Sequence, residues 1–172
     1  MNWLANTLAK VKETTQRSSS TPEGLWTKCP TCGQTLYQKE LGRNLSVCPH
    51  CQHHFRVSAS ARINQTLDHA EREELCADYQ PGAPLQFKDT KKYVDRMKTS
   101  QKKTGKEDAV VTFKGTINGV PAVVTAFDFA FMGGSMGSVV GAKIAGGALA
   151  AAKEGCGYVV FSCSGGARMQ EG

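Results

Sequence analysis

The C-terminal part of the chain contains short β-type runs around one long helical run. Residues 109–117 and 120–127 are rich in β-branched side chains and are joined by an Asn-Gly dipeptide, the strongest local indication of a tight hairpin turn. An alanine-rich stretch of helical length follows Ser138, and residues 157–162 form another short apolar run. The order strand, strand, helix, strand predicts a hairpin followed by a parallel crossover, and hence a layered α/β fold.

The rest of the chain divides into segments of different pattern. The N-terminal residues have apolar side chains at helical spacing, typical of a docking helix or a frayed tail. The pattern of residues 59–79 predicts a helix, and a second, basic helix is predicted to end at Gly105. Residues 167–171 begin a further helix, so we expect the chain to be a fragment of a longer polypeptide. The domains that we predict are a tail at 1–22, a ribbon at 23–58, a helical basic linker at 59–107 and a glycine-rich domain at 108–172.

The net charge of the chain is concentrated in one stretch. Lys and Arg number 21 against 15 Asp and Glu, which gives +6, and residues 88–106 alone hold eight cations and two acids. Such a strip is typical either of a site for phosphate-bearing partners, such as a nucleic acid or a phosphorylated cofactor tail, or of a solvated helix face. No apolar stretch reaches the ~18–20 residues of a membrane span, and the N-terminus lacks a secretory signal, so we expect a cytoplasmic protein.

Four of the seven cysteines form two Cys-x-x-Cys pairs, separated by fifteen residues. The pairs are Cys29 with Cys32 and Cys48 with Cys51. The segment around them has too few apolar residues to bury a core of its own. Two such pairs on a loop-rich ribbon predict one structural zinc ion, because four sulfur ligands leave no position for water and metal binding supplies folding free energy.

Two pairs of glycines, Gly133 with Gly134 and Gly165 with Gly166, each follow an apolar strand and precede a predicted helix. Backbone N–H groups at such points can bind an oxyanion, which indicates stabilisation of an enolate or thioester oxygen. The alternative is that these glycines only permit tight turns and close packing. The sequence contains no P-loop, dinucleotide-binding motif or serine-hydrolase elbow. All four histidines lie within residues 50–69, so the glycine-rich domain has no imidazole of its own.

Together these motifs resemble the β subunit of bacterial acetyl-CoA carboxylase carboxyltransferase. The four-cysteine ribbon resembles the N-terminal zinc domain of that family, and three further segments resemble its linker and its core. These segments are residues 87–96, 129–140 and 164–171. The resemblance begins at about residue 23 and implies an α/β fold with a crotonase-like (ClpP/crotonase) β-β-α spiral core, truncated here, preceded by a small zinc ribbon.

The resemblance implies a reaction and a set of partners. The reaction is transfer of a carboxyl group from carboxybiotin to acetyl-CoA, giving malonyl-CoA in the first committed step of fatty-acid synthesis. The partners are a homologous carboxyltransferase α subunit in an α2β2 complex, the biotin carboxyl carrier protein that supplies biotin, and biotin carboxylase. Because the active site of that family lies between two subunits, this chain alone is expected to be inactive.

The resemblance also implies site residues. The backbone N–H groups of Gly165 and Gly166 would hold the thioester oxygen of the acetyl-CoA enolate, and Gly133 and Gly134 would contribute to the same pocket wall. The biotin anion left after CO2 release would take the methyl proton, in agreement with the absence of histidine from this domain. Basic residues expected to face the CoA phosphates are Lys91, Lys92 and Arg96.

One feature departs from the family, and two other interpretations stay open. The helix after Ser138 is richer in glycine than the family leads us to expect, and each interior glycine costs about 1 kcal/mol relative to alanine, so we expect that helix to be weak. The zinc ribbon and the +6 charge would also suit a nucleic-acid-binding module, whose affinity would fall steeply with salt. Half of a spiral core would suit an inactive interaction fragment.

Overall fold

A computed structural model describes residues 24–171, which form two compact units, 24–55 and 56–171. The predicted docking helix or tail of the first twenty residues lies outside the described residues. Within 24–171, no helix combines the length and the apolar character needed to cross a bilayer.

The first unit is a two-stranded ribbon followed by a short helix. Strand β1 (Trp26–Lys28) pairs antiparallel with β2 (Thr35–Tyr37), and helix α1 (Gln38–Arg43) follows β2 directly. The buried side chains of the unit are Cys29, Leu36, Leu41 and Cys48. Two of these four are predicted metal ligands, so the apolar core is far too small to stabilise the unit by burial alone.

The second unit is built on a four-stranded sheet with the order β3-β4-β5-β6. Strands β4 (Val110–Ile117) and β5 (Val120–Phe127) form the predicted hairpin, and both residues of its Asn-Gly turn have the positive φ that a type I′ turn requires. Strand β3 (Glu73–Leu75) pairs antiparallel with β4, and β6 (Gly157–Phe161) pairs parallel with β5. The predicted hairpin and parallel crossover are confirmed.

Three helices of this unit cover the sheet. Helix α2 (Ala59–Thr66) packs on the face that includes Val111 and Val124. Helices α3 (Tyr93–Thr104) and α4 (Ser138–Glu154) contribute to the cluster on the opposite face. The segment expected to be a linker therefore supplies part of the core around the sheet. Its basic helix ends as predicted at Gly105, which adopts the left-handed conformation.

The predicted helix over residues 59–79 is wrong beyond Thr66. Strand β3 occupies part of that range, because the chain is redirected just after α2 by a contact remote in sequence. The carboxylate of Asp68 accepts hydrogen bonds from Thr116 Oγ1 at 2.6 Å and from the backbone N–H groups of Asn118 and Gly119 at 3.0 and 2.8 Å. These bonds attach the chain to the hairpin turn, and they lower the pKa of Asp68.

Two of the unexpected glycines of α4 have a packing role. A Cβ atom at Gly146 would lie 2.6 Å from Cys76 Sγ, and one at Gly147 would lie 2.9 Å from the Tyr158 hydroxyl. Atoms do not approach this closely without displacement, so glycine lets α4 lie near β3 and β6. The helical propensity lost at these two positions is the cost of that close approach.

Candidate functional site

The four cysteines of the first unit converge on one point. Their Sγ atoms all lie within 4.8 Å of one another. The Cys29 and Cys51 sulfurs are 3.6 Å apart, and those of Cys32 and Cys48 are 3.8 Å apart. A tetrahedral zinc with Zn–S bonds of ~2.3 Å places its sulfurs ~3.8 Å apart. The cluster therefore fits one zinc ion, as the sequence predicted.

Each cysteine pair lies in the same kind of turn. The residue after the second cysteine has positive φ and donates its N–H to the carbonyl of the first cysteine. Gly33 does so to Cys29 at 2.9 Å, and Gln52 does so to Cys48 at 3.0 Å. Burial disfavours the thiolate of Cys29, but amide hydrogen bonds from Cys32 and Thr31 outweigh it and lower the pKa of Cys29 to about 7. The first turn therefore favours the thiolate of Cys29. An amide hydrogen bond from His53 likewise lowers the pKa of Cys51, but burial and the three neighbouring cysteines outweigh it and raise that pKa to about 12.

The two glycine pairs of the second unit lie in loops that touch. We name residues 132–137 the first glycine loop and residues 163–168 the second. The Gly165 N–H donates to the Gly133 carbonyl at 2.9 Å, and the Met136 N–H donates to the Gly166 carbonyl at 2.9 Å. A Cβ atom at Gly134 would lie only 2.0 Å from the Cys163 carbonyl oxygen, so that contact requires glycine. The structure thus brings the two predicted glycine pairs together.

The amides of these glycines are not at free helix ends, contrary to the sequence-based expectation. Residues 167–171 form a bridge to Met136 and a turn rather than a helix. The Gly134 N–H donates to the Phe131 carbonyl at 2.8 Å, and the Gly165 N–H donates to the Gly133 carbonyl. The Gly166 N–H donates to the exposed hydroxyl of Ser164 at 3.0 Å. Because a hydroxyl can rotate away, the Gly166 amide can be offered to a ligand.

A buried ion pair anchors the second loop, and sequence reasoning missed it. The guanidinium of Arg168 lies against the carboxylate of Asp108, with Nη2 to Oδ1 at 2.6 Å and Nη1 to Oδ2 at 3.1 Å, and both side chains are fully buried. Arg168 also donates to the carbonyl and the hydroxyl of Ser135 in the first loop, at 2.7 and 3.1 Å. Burial disfavours the charge of Arg168, but its bonds to Asp108 outweigh this and raise its pKa, so Arg168 stays charged.

The carboxylate of Glu171 completes this network. It accepts hydrogen bonds from the Tyr93 hydroxyl, from Arg168 Nη1 at 3.0 Å, and from the N–H and hydroxyl of Ser138 at 2.6 and 2.7 Å. Burial alone would raise the pKa of Glu171, but these donors lower it below its ordinary value. Burial and the bond to Glu171 raise the pKa of Tyr93 to about 12. Glu171 is thus an anion and Tyr93 a neutral donor at neutral pH.

The only sequence signal for this network is polar residues at positions that become buried. Arg168 and Glu171 lie within residues 164–171, one of the segments that resemble the carboxyltransferase core, and Asp108 lies close before a strand. Apart from the Arg168–Glu171 pair itself, their partners are 33 to 78 residues away in sequence, so no local pattern identifies them.

A cavity of about 540 Å³ lies beside the second loop. Lys91 and Arg96 line it together with residues 167–170, whereas Lys92 is not among its lining residues. The Arg96 guanidinium donates to both oxygens of Asp89 at 2.6 Å, and the Lys91 N–H and Arg96 together lower the pKa of Asp89 to about 2. Within residues 24–171, Lys91 forms no ion pair.

A second cavity, of about 740 Å³, shares Thr99, Ser100 and Met132 with the first. It is lined by Gly133 and by two cations that the sequence analysis did not single out, Arg56 and Lys103. The Arg56 guanidinium lies 4.0 Å from the centre of the Phe129 ring, a cation–π contact. Cationic side chains therefore line both cavities beside the glycine loops.

The fold and these sites define a zinc ribbon followed by a crotonase-like α/β unit. Residues 26–51 match the acetyl-CoA carboxylase zinc finger domain, and residues 71–172 match the carboxyl transferase domain. The second match covers more than half of the chain. This protein therefore belongs to the carboxyl transferase domain family.

Solved structures agree with that family. A transcarboxylase 12S structure, described as a hexamer assembly with methylmalonyl-coenzyme A and methylmalonic acid bound, is 31% identical over 68% of this chain, with a TM-score of 0.54. A single-chain, multi-domain long-chain acyl-CoA carboxylase is 20% identical over 66% of this chain, with a TM-score of 0.52, and this likeness concerns the fold alone. The chain matches 21% of the transcarboxylase chain and 11% of the carboxylase chain.

Proposed function

We propose that this chain is part of the β subunit of an acetyl-CoA carboxylase carboxyltransferase, which transfers a carboxyl group from carboxybiotin to acetyl-CoA and forms malonyl-CoA. The observation that carries the proposal is the order of two matches on one chain: an acetyl-CoA carboxylase zinc finger at 26–51, then a carboxyl transferase domain at 71–172. The transcarboxylase neighbour, solved with an acyl-coenzyme A bound, supports a CoA thioester as the substrate.

The glycine loops would stabilise the charge that develops in this reaction. Removal of a methyl proton from acetyl-CoA gives an enolate, whose negative charge lies on the thioester oxygen. The Gly166 N–H can donate to that oxygen when the Ser164 hydroxyl rotates away. The Gly165 N–H holds the Gly133 carbonyl, so Gly165, Gly133 and Gly134 would form the wall beside the donor. Carboxybiotin, brought by the carrier protein, would supply the carboxyl group as CO2, and the biotin anion that remains would take the methyl proton.

The basic residues beside the second loop would bind the CoA phosphates. Lys91 is the strongest candidate, because it lines the cavity next to residues 167–170 and has no ion-pair partner within residues 24–171. Arg96 lines the same cavity, although Asp89 partly neutralises its charge. Lys92 does not line this cavity, so it would attract the phosphates only through its positive charge.

The proposed setting is a cytoplasmic complex. We propose a homologous carboxyltransferase α subunit, in an α2β2 complex, and the biotin carboxyl carrier protein and biotin carboxylase as partners. The hexamer assembly described for transcarboxylase 12S supports a multi-subunit arrangement. Zinc would be structural, since all four sulfurs of the cluster point to one site.

The test is malonyl-CoA formation by the complex that contains this chain, with acetyl-CoA and carboxylated biotin supplied. The variant Gly166→Ala tests the direction of the Gly166 N–H. The φ of this residue is +121°, which strains an alanine, and a Cβ there meets no neighbour within 4 Å, so the substitution perturbs the backbone and not the packing. Alanine keeps the N–H and changes only its direction, so we expect kcat to fall by up to about 100-fold, the loss when one oxyanion donor is removed entirely.

Gly155→Ala is the matched control for that variant. Gly155 also has positive φ and open space around a Cβ, but it ends α4 away from the glycine loops, so we expect near-normal turnover. No malonyl-CoA from the unmodified complex would reject the proposed function. If Gly166→Ala and Gly155→Ala were equally active, the role of the Gly166 amide would be rejected, while the proposed function itself would stand.

A further inference from the structure

The carboxylate of Glu171 links three parts of the second unit. Its side chain is 5% exposed, and its two oxygens accept from four donors. One oxygen accepts from Arg168 and from Tyr93 at the start of α3. The other accepts from both donors of Ser138, the first residue of α4. Glu171 therefore connects the end of the second glycine loop to two helices.

The four bonds leave no spare acceptor capacity on this carboxylate. Two carboxylate oxygens offer about four lone-pair positions, and all are used here. The fit is also close, since a Cβ atom at Gly137 would lie 2.5 Å from Glu171 Oε1. An amide in place of the carboxylate has one nitrogen that cannot accept, so it cannot satisfy both Tyr93 and Ser138 in this arrangement.

Arg168 and Glu171 hold the two ends of the segment from Ser135 to Ser138. Arg168 donates to Ser135, and Glu171 accepts from Ser138, so the last three residues of the first glycine loop and the first residue of α4 are held between them. The Met136 N–H, bonded to the Gly166 carbonyl, lies in the middle of this short span. The position of Gly166 thus depends on where Ser135 and Ser138 are held.

We propose that Glu171 is a positioning residue, which fixes the first glycine loop against the second through Ser138 and so sets the direction of the Gly166 amide. The inference deepens the proposed function and rests on it for its effect on catalysis. Small displacements of a donor reduce turnover strongly while leaving substrate binding on distant contacts intact. Glu171 would therefore act on kcat more than on KM, because the candidate phosphate contacts lie on Lys91 and Arg96.

The first test is amide hydrogen exchange of Glu171→Gln in the assembled protein, a readout that does not depend on activity. We expect about tenfold faster exchange in residues 133–138 and 163–168, with little change in β4 and β5. The control is Glu154→Gln, which makes the same substitution in an exposed ion pair with Lys114, at 2.5 Å. Exchange at the glycine loops no faster in Glu171→Gln than in Glu154→Gln would overturn the inference.

The second test is the kinetics of malonyl-CoA formation by the same variants. We expect kcat to fall about tenfold in Glu171→Gln, with KM for acetyl-CoA within about twofold of the unmodified complex. Arg168 keeps both bonds to Asp108 in this variant, so its buried charge stays paired. If Glu171→Gln does not fold, Ser138→Ala replaces it, because this variant removes only one of the four donors to Glu171. We then expect hydrogen exchange at the glycine loops to be about threefold faster and kcat to be about threefold lower.

The outcomes separate this inference from the proposed function. An inactive unmodified complex would reject the proposed function, and hydrogen exchange alone would then decide whether Glu171 fixes the loops. An active complex in which the loops loosen but kcat stays within twofold would overturn the positioning role. A rise in KM with unchanged kcat would overturn it as well, since that result would assign Glu171 to substrate binding.

Discussion

Replacing Gly134 with alanine tests whether contact between the glycine loops is required. Its φ is +67°, and an added Cβ would lie 2.0 Å from the Cys163 carbonyl oxygen. Gly133 is a matched position, because its φ is +68° and a Cβ there meets nothing within 4 Å. Both alanine variants carry the cost of left-handed backbone, about 1–2 kcal/mol. Only Gly134→Ala adds a collision.

The collision sets the size of the difference. A Cβ needs at least 3.0 Å from such an atom, so the two loops must separate by about 1 Å. Overpacking of this kind costs about 1–3 kcal/mol. We therefore expect Gly134→Ala to be less stable than Gly133→Ala by that amount, or by about 4–12 °C in Tm at about 4 °C per kcal/mol.

Thermal and urea unfolding of the two variants, measured side by side, gives this difference directly. Exchange of the Gly165 and Met136 amides, which join the loops, reports on the same change locally. Equal stability of Gly133→Ala and Gly134→Ala would refute the reasoning, because it would mean that the loops do not touch in the folded protein.

Three further predictions concern other parts of the chain. Chelation of zinc, or Cys48→Ser, should remove protection from amide hydrogen exchange throughout residues 26–51, because the remaining buried core is too small to keep this unit folded. Retained protection would contradict a structural zinc. Asp108→Ala should destabilise the protein by about 3–5 kcal/mol in urea titrations, since it removes two charged hydrogen bonds from the buried Arg168 and leaves it only the single ion pair with Glu171, whereas Asp89→Ala, in an exposed pair, should change stability little. The folded-state pKa of Tyr93, about 12, is above its unfolded value of 10.0, so its contribution to stability is present below pH 10 and is lost as pH rises towards 12. The free energies of unfolding of Tyr93→Phe and of the unmodified protein, measured from pH 10 to pH 12, should converge as pH rises. A constant difference between the two proteins over this range would contradict the prediction.

Much of the architecture could be predicted because its determinants are local. An Asn-Gly dipeptide between two β-branched runs specifies a hairpin through the φ values of two adjacent residues. The strand that follows a helix of crossover length can pair parallel with its predecessor, and β6 does so with β5. The zinc ligands were predictable for the same reason, since each pair lies within one short turn.

The errors occur where contacts remote in sequence override the local pattern. Residues 67–79 have a helix-compatible pattern, yet Asp68 bonds to the hairpin turn about fifty residues later, and the chain then becomes strand β3. Residues 167–171 were expected to start a helix, but Arg168 and Glu171 are held by buried partners from other elements. Side-chain spacing along the chain carries no information on such partners.

The sequence by itself determined the residue types that could bind zinc, the order strand, strand, helix, strand over residues 109–162, and the presence of two glycine pairs. Only the tertiary structure decided that the pairs touch, that Gly165 is occupied while Gly166 faces a rotatable hydroxyl, and that Gly134 has no room for a side chain. The physical reason is that ligand spacing and turn conformation depend on neighbours within a few residues. The availability of an amide and the burial of a charge depend on groups that folding brings together from distant parts of the chain.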